Sequence, residues 1–261
     1  MSKLVKSKGN MYPWVTHMHA HLIGCCSHEC KYCYVQTANT DIPDKYKGIV
    51  RLDATSLDVN YGNDKVIFID HMNDLFADDV SLAHTKLVLK HCLKYPDNVY
   101  VFQTKNPGAV VRHAATLNTM ATVCAGVYVG VTIETNRSTA AISKAPTTIQ
   151  RAIDLACLQK KLNCYSFVTI EPILDFDVLE FAELIKAIDP VFINIGADSK
   201  SNGLTEPDAS KVQDFIDIIS KTKIPIRAKR NLHRLVGGEI FNDISIKTTT
   251  LAGTTTPEKG T

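Results

Sequence analysis

The sequence contains no long apolar run. No stretch approaches the roughly 18 consecutive apolar residues that a membrane span needs. Basic residues at the N-terminus are not followed by an apolar segment, so this region does not resemble a secretory signal. An excess of one charge is also missing, because 29 Lys and Arg residues are balanced by 27 Asp and Glu residues. We therefore expect a cytoplasmic protein that binds no membrane and whose basic sites, if any, are local.

Cysteine is too scarce for a disulfide scaffold. The chain has eight cysteines among 261 residues, and a cytosolic protein keeps its thiols reduced, so clustered cysteines indicate ligands or catalysts. The fractions of 45% apolar and 21% charged residues exclude wholesale disorder, a collagen-like repeat and a coiled coil. The length fits one α/β domain over residues 1–243, and the Thr- and Gly-rich end predicts a flexible tail over residues 244–261.

Strand-like and helix-like runs alternate along most of the sequence. Runs rich in β-branched and aromatic residues predict strands at 14–23, 65–70, 98–104, 126–134, 165–171, 191–196 and, more weakly, 224–228. Apolar periodicity and capping residues predict helices at 81–94, 107–117, 147–162, 177–188 and 207–221. Because each crossover is long enough to return to a parallel neighbour, the pattern predicts an α/β fold with a parallel sheet.

Three cysteines lie close together after the first predicted strand. Cys26, Cys30 and Cys33 are spaced C-x3-C-x2-C, with Tyr32 before the last of them. A loop this short can wrap three thiolates around one face of an iron–sulfur cube, which leaves one iron without a protein ligand. A zinc ion with His28 as fourth ligand is the alternative, although structural zinc sites usually have two paired knuckles and this sequence has one.

Cys25 allows a second interpretation of the same loop, because C-x4-C-x2-C begins there. We treat Cys25 as a neighbour, since only Cys26 gives the familiar spacing. No second cysteine group is present for an auxiliary cluster. The other cysteines are scattered in helix or strand runs and are predicted to pack as small apolar residues: Cys92, Cys124, Cys157 and Cys164.

The cysteine motif, the aromatic at Tyr32 and the position after the first strand resemble the radical S-adenosylmethionine (SAM) superfamily. The segments FIDHMNDLF, VFQTKNP, GVTIETNR and FVTIEPILDF also resemble a compact group of this superfamily found in phage and bacterial genomes. The resemblance implies a partial (β/α)6, TIM-like barrel over residues 12–230 and a [4Fe-4S] cluster on Cys26, Cys30 and Cys33. It further implies an enzyme that cleaves SAM reductively, so that a 5′-deoxyadenosyl radical abstracts hydrogen from substrate, with flavodoxin or ferredoxin as electron donor.

The same resemblance places SAM contacts at the ends of the strands, where barrel sites gather. Tyr32 belongs to this cofactor site by its place in the motif. Asn73 and Asp74 stand where the superfamily commonly has a Gly-Gly-Glu type segment that holds the amino group of SAM. This sequence departs from that segment, so the backbone of Met72 or Asn73, or the Asp74 carboxylate, is expected to replace it. The alternative role of Asp74 is to cap the following turn.

Thr132 and Glu134 end the fourth strand and Arg137 follows it, where the ribose and the methionine carboxylate of SAM lie in this superfamily. Arg137 can pair with that carboxylate through two contacts, and a surface Glu–Arg pair is the alternative. Glu171 is flanked by apolar residues at the end of the fifth strand, and burial without a partner would raise its pKa, so a polar contact to cofactor or substrate is expected.

Further candidates follow the third and sixth strands. Gly196 and Asp198 suggest a close approach of the backbone to the adenine of SAM, or simply a turn. The polar residues that end the third strand are candidates for substrate contacts: Gln103, Lys105 and Asn106. No residue is assigned a catalytic role.

His17, His19 and His21 alternate along the first strand and therefore share a face. A His-x-His at this place also resembles the zinc site of amidohydrolase-type barrels, so a metal-dependent hydrolase is an alternative function. Of the other histidines only His71 is well placed to join such a site, while His84, His91 and His113 fall in helical runs. The stripe otherwise lines the barrel or forms hydrogen bonds at its outer face.

A short basic segment lies near the last strand and contains Arg227, Lys229, Arg230 and Arg234. It is predicted to be a solvated helix face or to contact phosphate. This local basic segment and the resemblance together favour a nucleoside, a nucleotide or a nucleic-acid base as substrate, with another small molecule or a peptide as alternatives. A non-catalytic iron–sulfur protein is the alternative from another functional class.

Overall fold

A computed structural model describes residues 3–37, 44–200 and 202–238. The predicted tail over residues 244–261 lies outside these described residues. No helix in the described ranges is both long enough and apolar enough to span a bilayer.

An eight-stranded sheet forms the centre of the described chain, in the order β1-β2-β5-β6-β7-β8-β9-β10. The short β1 pairs antiparallel with β2, and every other neighbouring pair in this sheet is parallel. Its strands are β1 (Val5–Lys6), β2 (His17–His19), β5 (Val66–Ile69), β6 (Val99–Thr104), β7 (Gly126–Thr132), β8 (Tyr165–Ile170), β9 (Ile193–Ile195) and β10 (Ile226–Ala228). A second, two-stranded sheet pairs β3 (Leu22–Ile23) with β4 (Arg51–Leu52). The predicted α/β class with a mostly parallel sheet is confirmed, and the main sheet is open at β1 and β10 among the described residues.

Helices alternate with the parallel strands, as the sequence pattern predicts. They are α1 (Tyr34–Thr37), α2 (Leu82–Leu93), α3 (Pro107–Val110), α4 (Ala114–Val123), α5 (Thr148–Gln159), α6 (Val178–Ile188) and α7 (Ala209–Ile219). Ser81 caps α2 by accepting a hydrogen bond from the backbone N–H of His84, and Thr147 caps α5 in the same way. The predicted helix at 107–117 is instead two helices, because a 3-10 turn at Val111–His113 separates α3 from α4.

The two faces of the sheet bury different side chains. Ile67 and Ile69 of β5 belong to a large core that includes Val88 of α2, so this face is covered by helices and is here called the outer face. Phe68, between them, belongs to a smaller aromatic cluster with Phe167 on the opposite, inner face. This alternation along buried strands fixes which side chains reach the inner face.

The predicted first strand at 14–23 is two strands in different sheets. The backbone N–H groups of His21 and Leu22 donate to Oδ1 of Asp70 at 2.6 and 2.9 Å, instead of continuing the ladder of β2. The chain therefore leaves the main sheet after β2 and pairs briefly with β4 before it enters the cysteine loop. A contact from a residue distant in sequence breaks this strand.

Candidate cofactor site

The cysteine loop begins at a backbone position that only glycine fits. Gly24 has a φ of 96°, and a Cβ atom there would lie 2.3 Å from the carbonyl oxygen of Ile49. The N–H of Gly24 donates to the carbonyl of Lys45 at 2.7 Å, and that of Cys25 to the carbonyl of Gly48 at 2.8 Å. The loop is thereby fixed at its start against the segment that precedes β4.

Cys26, Cys30 and Cys33 lie on this one loop, partly exposed, and none of them forms a disulfide. The loop turns tightly, because the N–H of Cys33 donates to the carbonyl of Cys30 at 3.0 Å. The Sγ atom of Cys30 lies 3.2 Å from the hydroxyl of Ser143. Burial and the nearby Asp74 carboxylate raise the pKa of Cys26 to about 12, so this side chain is a thiol at neutral pH until a metal displaces its proton.

Asp74 anchors the middle of the loop. Its Oδ2 accepts hydrogen bonds from Nε2 of His28 at 2.8 Å, from the hydroxyl of Thr104 at 2.9 Å and from the backbone N–H of Lys105 at 2.7 Å. Its Oδ1 accepts from the N–H of Phe76, which is a turn cap. Burial raises the pKa of Asp74, but the hydrogen bond and charge of His28 outweigh it, so the pKa is lowered. The carboxylate thus holds the loop and caps a turn.

We expect replacement of Asp74 by asparagine to destabilise the protein by about 1–3 kcal/mol at neutral pH, because buried donors lose their acceptor. A carboxylate whose pKa is lowered on folding stabilises the fold above its unfolded pKa, and this stabilisation is lost as the pH falls through the folded pKa. The stability difference between wild type and variant should therefore shrink below about pH 4. Urea unfolding between pH 3 and 7 measures it, with the exposed Asp97→Asn as control. A difference that stays constant over this range would contradict the assignment.

Tyr32, Glu134 and Arg151 form a buried chain of contacts beside the cysteine loop. The hydroxyl of Tyr32 donates to Oε1 of Glu134, and Nη1 of Arg151 lies 2.9 Å from Oε2 of Glu134. The side chains of Glu134 and Arg151 are both fully buried. Lys105 Nζ lies 5.2 Å from the centre of the Tyr32 ring. Burial and the Glu134 charge raise the pKa of Tyr32 well above its ordinary value, so it stays a hydrogen-bond donor.

Arg151 was not predicted as a site residue. It lies in α5 between residues of the outer core, and its signal in the sequence is a lone arginine next to Ala152 and Leu155, which are buried apolar residues of the same helix. Such a position is costly for a charge unless the charge has a partner. Its Nη1 also donates to the carbonyl of Thr132 at 2.5 Å, so α5 and the end of β7 are joined.

Arg137 and Glu134 do not pair with each other, so the surface pair considered above is not formed. Arg137 instead contacts Asp175 and Asp177, with Nη2 of Arg137 2.5 Å from Oδ1 of Asp177. Lys211 lies 2.5 Å from Asp175 as well. Arg137 is thus already neutralised by two carboxylates.

The inner face near the ends of β6, β7 and β8 is polar. The hydroxyl of Tyr12 donates to Oε1 of Gln103 at 2.6 Å and lies 2.8 Å from the hydroxyl of Thr169. The amide of Gln103 donates to the hydroxyl of Thr132 at 3.1 Å. Gln103 and Thr132 are therefore brought together, and they face the inner side, as expected for Gln103.

Glu171 lies in a second polar group on the same side. Nζ of Lys229 is 2.5 Å from Oε2 of Glu171, and the amides of Asn10 and Asn231 donate to Oε1 at 2.8 and 3.1 Å. A Cβ on Gly196 would lie 2.9 Å from both Glu171 and Asn231, so the absence of a side chain at Gly196 makes room for this group. The expected polar partner of Glu171 is thus provided by the protein itself.

Asn73 has a buried acceptor that no described residue satisfies. Its Nδ2 lies 3.4 Å from the carbonyls of Leu22 and Gly24, whereas its Oδ1 is buried without a hydrogen bond. Because Oδ1 of an amide can only accept, this atom lacks a donor at the start of the cysteine loop.

Comparison with known proteins assigns a family. The sequence matches the family DUF5131, described as a protein of unknown function, over residues 10–199. The chain belongs to the DUF5131 family. A search of curated proteins found no significant match to this DUF5131 chain.

Solved structures similar to the DUF5131 chain are spore photoproduct lyases. A cysteine-to-serine variant gives a TM-score of 0.58 at 12% identity, over 86% of this chain and 80% of the other. A complex with dinucleoside spore photoproduct gives 0.52 at 11% identity, over 85% and 78%. A variant with bound AdoMet and dinucleoside spore photoproduct gives 0.47 at 13% identity, and the chain spans 65% of its length. The first two likenesses show a shared mixed α/β fold.

In the DUF5131 chain Asp198 organises the loop after β9. Its carboxylate accepts hydrogen bonds from the backbone of Lys200 at 3.2 Å and from the backbone and amide of Asn202 at 2.5 and 2.6 Å. Its own carbonyl accepts from Arg234, which also pairs with Glu206 at 2.6 Å. Asp198 therefore shapes this loop.

The basic segment of the DUF5131 chain is divided between the inner face and an exposed helical turn. Arg227 lies in β10 on the inner side, 3.7 Å from the ring centre of Phe192 and 5.3 Å from that of Trp14. Lys229 is buried against Glu171. Arg227 and Lys229 are therefore held at the inner face, whereas Arg230 and Arg234 are exposed on the 3-10 turn and the helical residues that follow β10.

The histidine stripe of the DUF5131 chain lies on the outer face. His19 and His21 are buried and contact His91 of α2, whereas His17 is partly exposed and contacts Thr16. This confirms hydrogen-bonded histidines at the outer face for His19 and His21. It contradicts a hydrolase site on the inner face, because the residues that would carry it point away from that face.

Proposed function

We propose that this chain is a radical SAM enzyme that binds one [4Fe-4S] cluster through Cys26, Cys30 and Cys33. The observation that carries the proposal is a loop with three partly exposed thiols, none in a disulfide, beside the ends of parallel strands. The shared fold supports it, because spore photoproduct lyase is a radical SAM enzyme. The inner face then corresponds to the lumen of a partial (β/α)6 barrel.

The donor set fits a cluster better than a single zinc ion. Zinc–sulfur bonds of about 2.3 Å in a tetrahedral site would bring the sulfurs within about 4 Å of one another. Among the described residues, one group of three His, Cys, Asp or Glu side chains has its ligand atoms within 4.8 Å of one another, and it consists of histidines elsewhere in the fold. Cys26, Cys30 and Cys33 do not form such a group. His28, the fourth ligand that a zinc site would need, contacts Asp74 through Nε2, so only its Nδ1 is left for a metal.

The bound cluster and SAM would supply an electron and a 5′-deoxyadenosyl radical that abstracts hydrogen from the substrate. The protein holds the three thiolates on a loop fixed at its start, middle and end. The inner face supplies the hydrogen-bonding groups that orient a substrate, while the aromatic cluster below excludes water.

The proposed SAM environment consists of Tyr32 in the cysteine loop and the strand-end residues named from the sequence. We propose that the buried Oδ1 of Asn73 accepts a hydrogen bond from the SAM amino group, because this atom lacks a donor in the described chain. The carboxylates in the set already have protein partners and shape the site. The full set is Tyr32, Asn73, Asp74, Thr132, Glu134, Arg137, Glu171, Gly196 and Asp198.

Anaerobic reconstitution tests the proposal. We expect iron and sulfide to rise to about four each per chain, and dithionite with SAM to yield 5′-deoxyadenosine. The electron paramagnetic resonance spectrum of the reduced cluster should change when SAM is added. A cluster whose spectrum is indifferent to SAM would favour the non-catalytic iron–sulfur protein, and zinc in place of iron would refute the proposal.

Cys25 should be dispensable for the cluster. Its Sγ contacts the carbonyl of Cys26 at 3.7 Å, and burial raises its pKa. We expect Cys25→Ser to keep its iron content within about twofold of wild type, and Cys26→Ser to lose it. Iron analysis after reconstitution decides. The reverse result would assign the spacing C-x4-C-x2-C and make Cys25 a ligand.

We propose a nucleoside, a nucleotide or a base in nucleic acid as substrate. One similar structure holds a dinucleoside spore photoproduct, and the amide and hydroxyls of the inner face offer donors and acceptors for a base edge. With dinucleotides, single-stranded DNA or double-stranded DNA, we expect faster formation of 5′-deoxyadenosine and transfer of deuterium into it from labelled substrate. If none of these raises the rate, the substrate belongs to another class. Flavodoxin or ferredoxin is the proposed electron donor.

A further inference from the structure

Three histidines are buried on the outer face of β2, where the surrounding interface is apolar. His19 and His21 have no exposed surface, and His91 of α2 is 1% exposed. The ring centres of His19 and His21 are 4.4 Å apart, and those of His21 and His91 are 5.3 Å apart. One nitrogen atom from each of the three lies within 4.8 Å of the other two. Tyr61, 1% exposed, places its hydroxyl in the same group.

The hydrogen bonds of His91 fix the position of its proton. Its Nε2 lies 2.9 Å from the carbonyl oxygen of Val59, and a carbonyl can only accept, so Nε2 carries the hydrogen. In a neutral ring Nε2 is then the only protonated nitrogen. The Nδ1 of His91 therefore presents a lone pair, and it lies 3.0 Å from Nε2 of His21.

His21 has a carboxylate on its other side. Its Nδ1 lies 3.4 Å from Oδ2 of Asp70, and neither atom has a hydrogen-bond partner in the described chain. Oδ1 of Asp70 is already occupied by the backbone N–H groups of His21 and Leu22. A proton on Nδ1 of His21 would face the buried carboxylate of Asp70. In a neutral ring this leaves a lone pair on Nε2, directed towards His91.

In this tautomer the two lone pairs lie 3.0 Å apart, and a cation between them would bind both. The hydroxyl of Tyr61 lies 2.6 Å from Nδ1 of His19 and 3.0 Å from Nε2 of His21. It can donate its one proton to only one of these nitrogens, and it accepts from the other only where that nitrogen is protonated. A metal ion could bind the lone pairs of these histidine nitrogens together. The outer nitrogens of His21 and His91 face a carboxylate and a carbonyl, which is the usual second-shell arrangement of histidine ligands.

We propose that His19, His21 and His91 bind a zinc ion, with the hydroxyl of Tyr61 or a water molecule as the fourth ligand. Three imidazoles and an oxygen suit tetrahedral zinc. Zinc–nitrogen bonds of 2.0–2.1 Å place neighbouring ligand atoms about 3.3 Å apart, within the range of the observed spacings. The ion would tie α2 to β2 and to His21, which is five residues before Cys26, so its role is to hold the start of the cysteine loop.

The test uses the full chain with Cys25, Cys26, Cys30 and Cys33 replaced by serine, which removes the competing thiols. After dialysis against zinc and then against metal-free buffer, we expect about one zinc per chain. Cobalt in its place should give visible ligand-field bands without an intense sulfur charge-transfer band. Zinc should raise the melting temperature by roughly 5–10 °C at a hundredfold excess over its dissociation constant. This protein has no cluster, so the outcome is independent of the proposed enzyme activity.

His91→Gln in the same background should lower zinc content at least about tenfold, because one of three protein ligands is lost. His17→Gln is the matched control, since His17 lies on the same strand outside the group. If the protein without loop cysteines binds no stoichiometric metal, or if His91→Gln and His17→Gln retain equal amounts, the proposal is wrong. The cation would then be a proton on His21, shared between Asp70 and His91. The metal content of the protein without loop cysteines tests the proposal even if its His91→Gln variant does not fold.

Discussion

Replacing Cys30 by alanine is expected to abolish cluster assembly in the reconstituted protein. Cys30 is the central thiol of the loop, and two remaining thiols cannot hold three corners of the cube. Loss of an outer-shell contact alone costs 10- to 100-fold in such sites, so loss of a ligand should lower SAM cleavage by at least about 100-fold. Iron and sulfide analysis and the yield of 5′-deoxyadenosine measure the two effects.

The matched control is Cys157→Ala, an exposed cysteine of α5 that should leave iron content and SAM cleavage unchanged. Cys25 provides the one plausible substitute thiol, so the double variant Cys25→Ser, Cys30→Ala belongs in the series. Continued SAM cleavage in the Cys30→Ala protein would refute the radical SAM assignment if the double variant is also active. If only the single variant is active, Cys25 serves as a ligand.

The sheet could be predicted from the sequence because its strands are buried on both faces. The predicted strand at 126–134 corresponds to β7 (Gly126–Thr132), and that at 165–171 to β8 (Tyr165–Ile170). Continuous apolar runs of this kind are a local property of the chain. The prediction of one continuous first strand was wrong because the backbone N–H groups of His21 and Leu22 donate to the carboxylate of Asp70. No local pattern reports a contact between residues so far apart in sequence.

The candidate site likewise has a part that could be predicted from the sequence and a part that could not. The cysteine spacing is local and can be read directly, whereas the partners of Glu134 and Glu171 come from α5 and from the residue after β10. Periodicity places His19 and His21 on one face but does not say which face that is. His91 was set aside because a helix was not expected to reach the ends of the strands, yet α2 packs directly on β2 at the outer face.

Three buried carboxylates after the parallel strands each hold a different part of the cysteine loop. Asp70 binds the backbone where the chain enters it, Asp74 binds His28 at its middle, and Glu134 binds Tyr32 near its end. Partners from the protein offset the cost of burying these groups. The loop is therefore positioned before any cofactor binds, and its rigidity depends on each carboxylate keeping its partners.

Replacing Arg151 by leucine should be the most destabilising change in this framework. It leaves Glu134 buried without its cation, which costs about 3–5 kcal/mol in comparable sites. For a chain of this size the loss corresponds to a fall in melting temperature of roughly 6–20 °C. Urea unfolding of the protein without cluster measures this loss of stability. Because Glu134 also accepts the hydrogen bond of Tyr32, iron retention should fall along with stability.

The double variant Glu134→Gln, Arg151→Leu separates pairing from packing. The double variant removes the unpaired charge. Its loss of unfolding free energy should therefore be smaller than the sum of the losses in the two single variants by at least about 1 kcal/mol. Arg137→Leu is the matched control, because Arg137 is an exposed arginine that also bridges carboxylates, and its pairs are screened by water. If Arg151→Leu costs no more than Arg137→Leu, the pair does not stabilise the fold. Tyr32 and the end of the cysteine loop must then be held by other contacts, such as the backbone bond from Lys31 to Ile142.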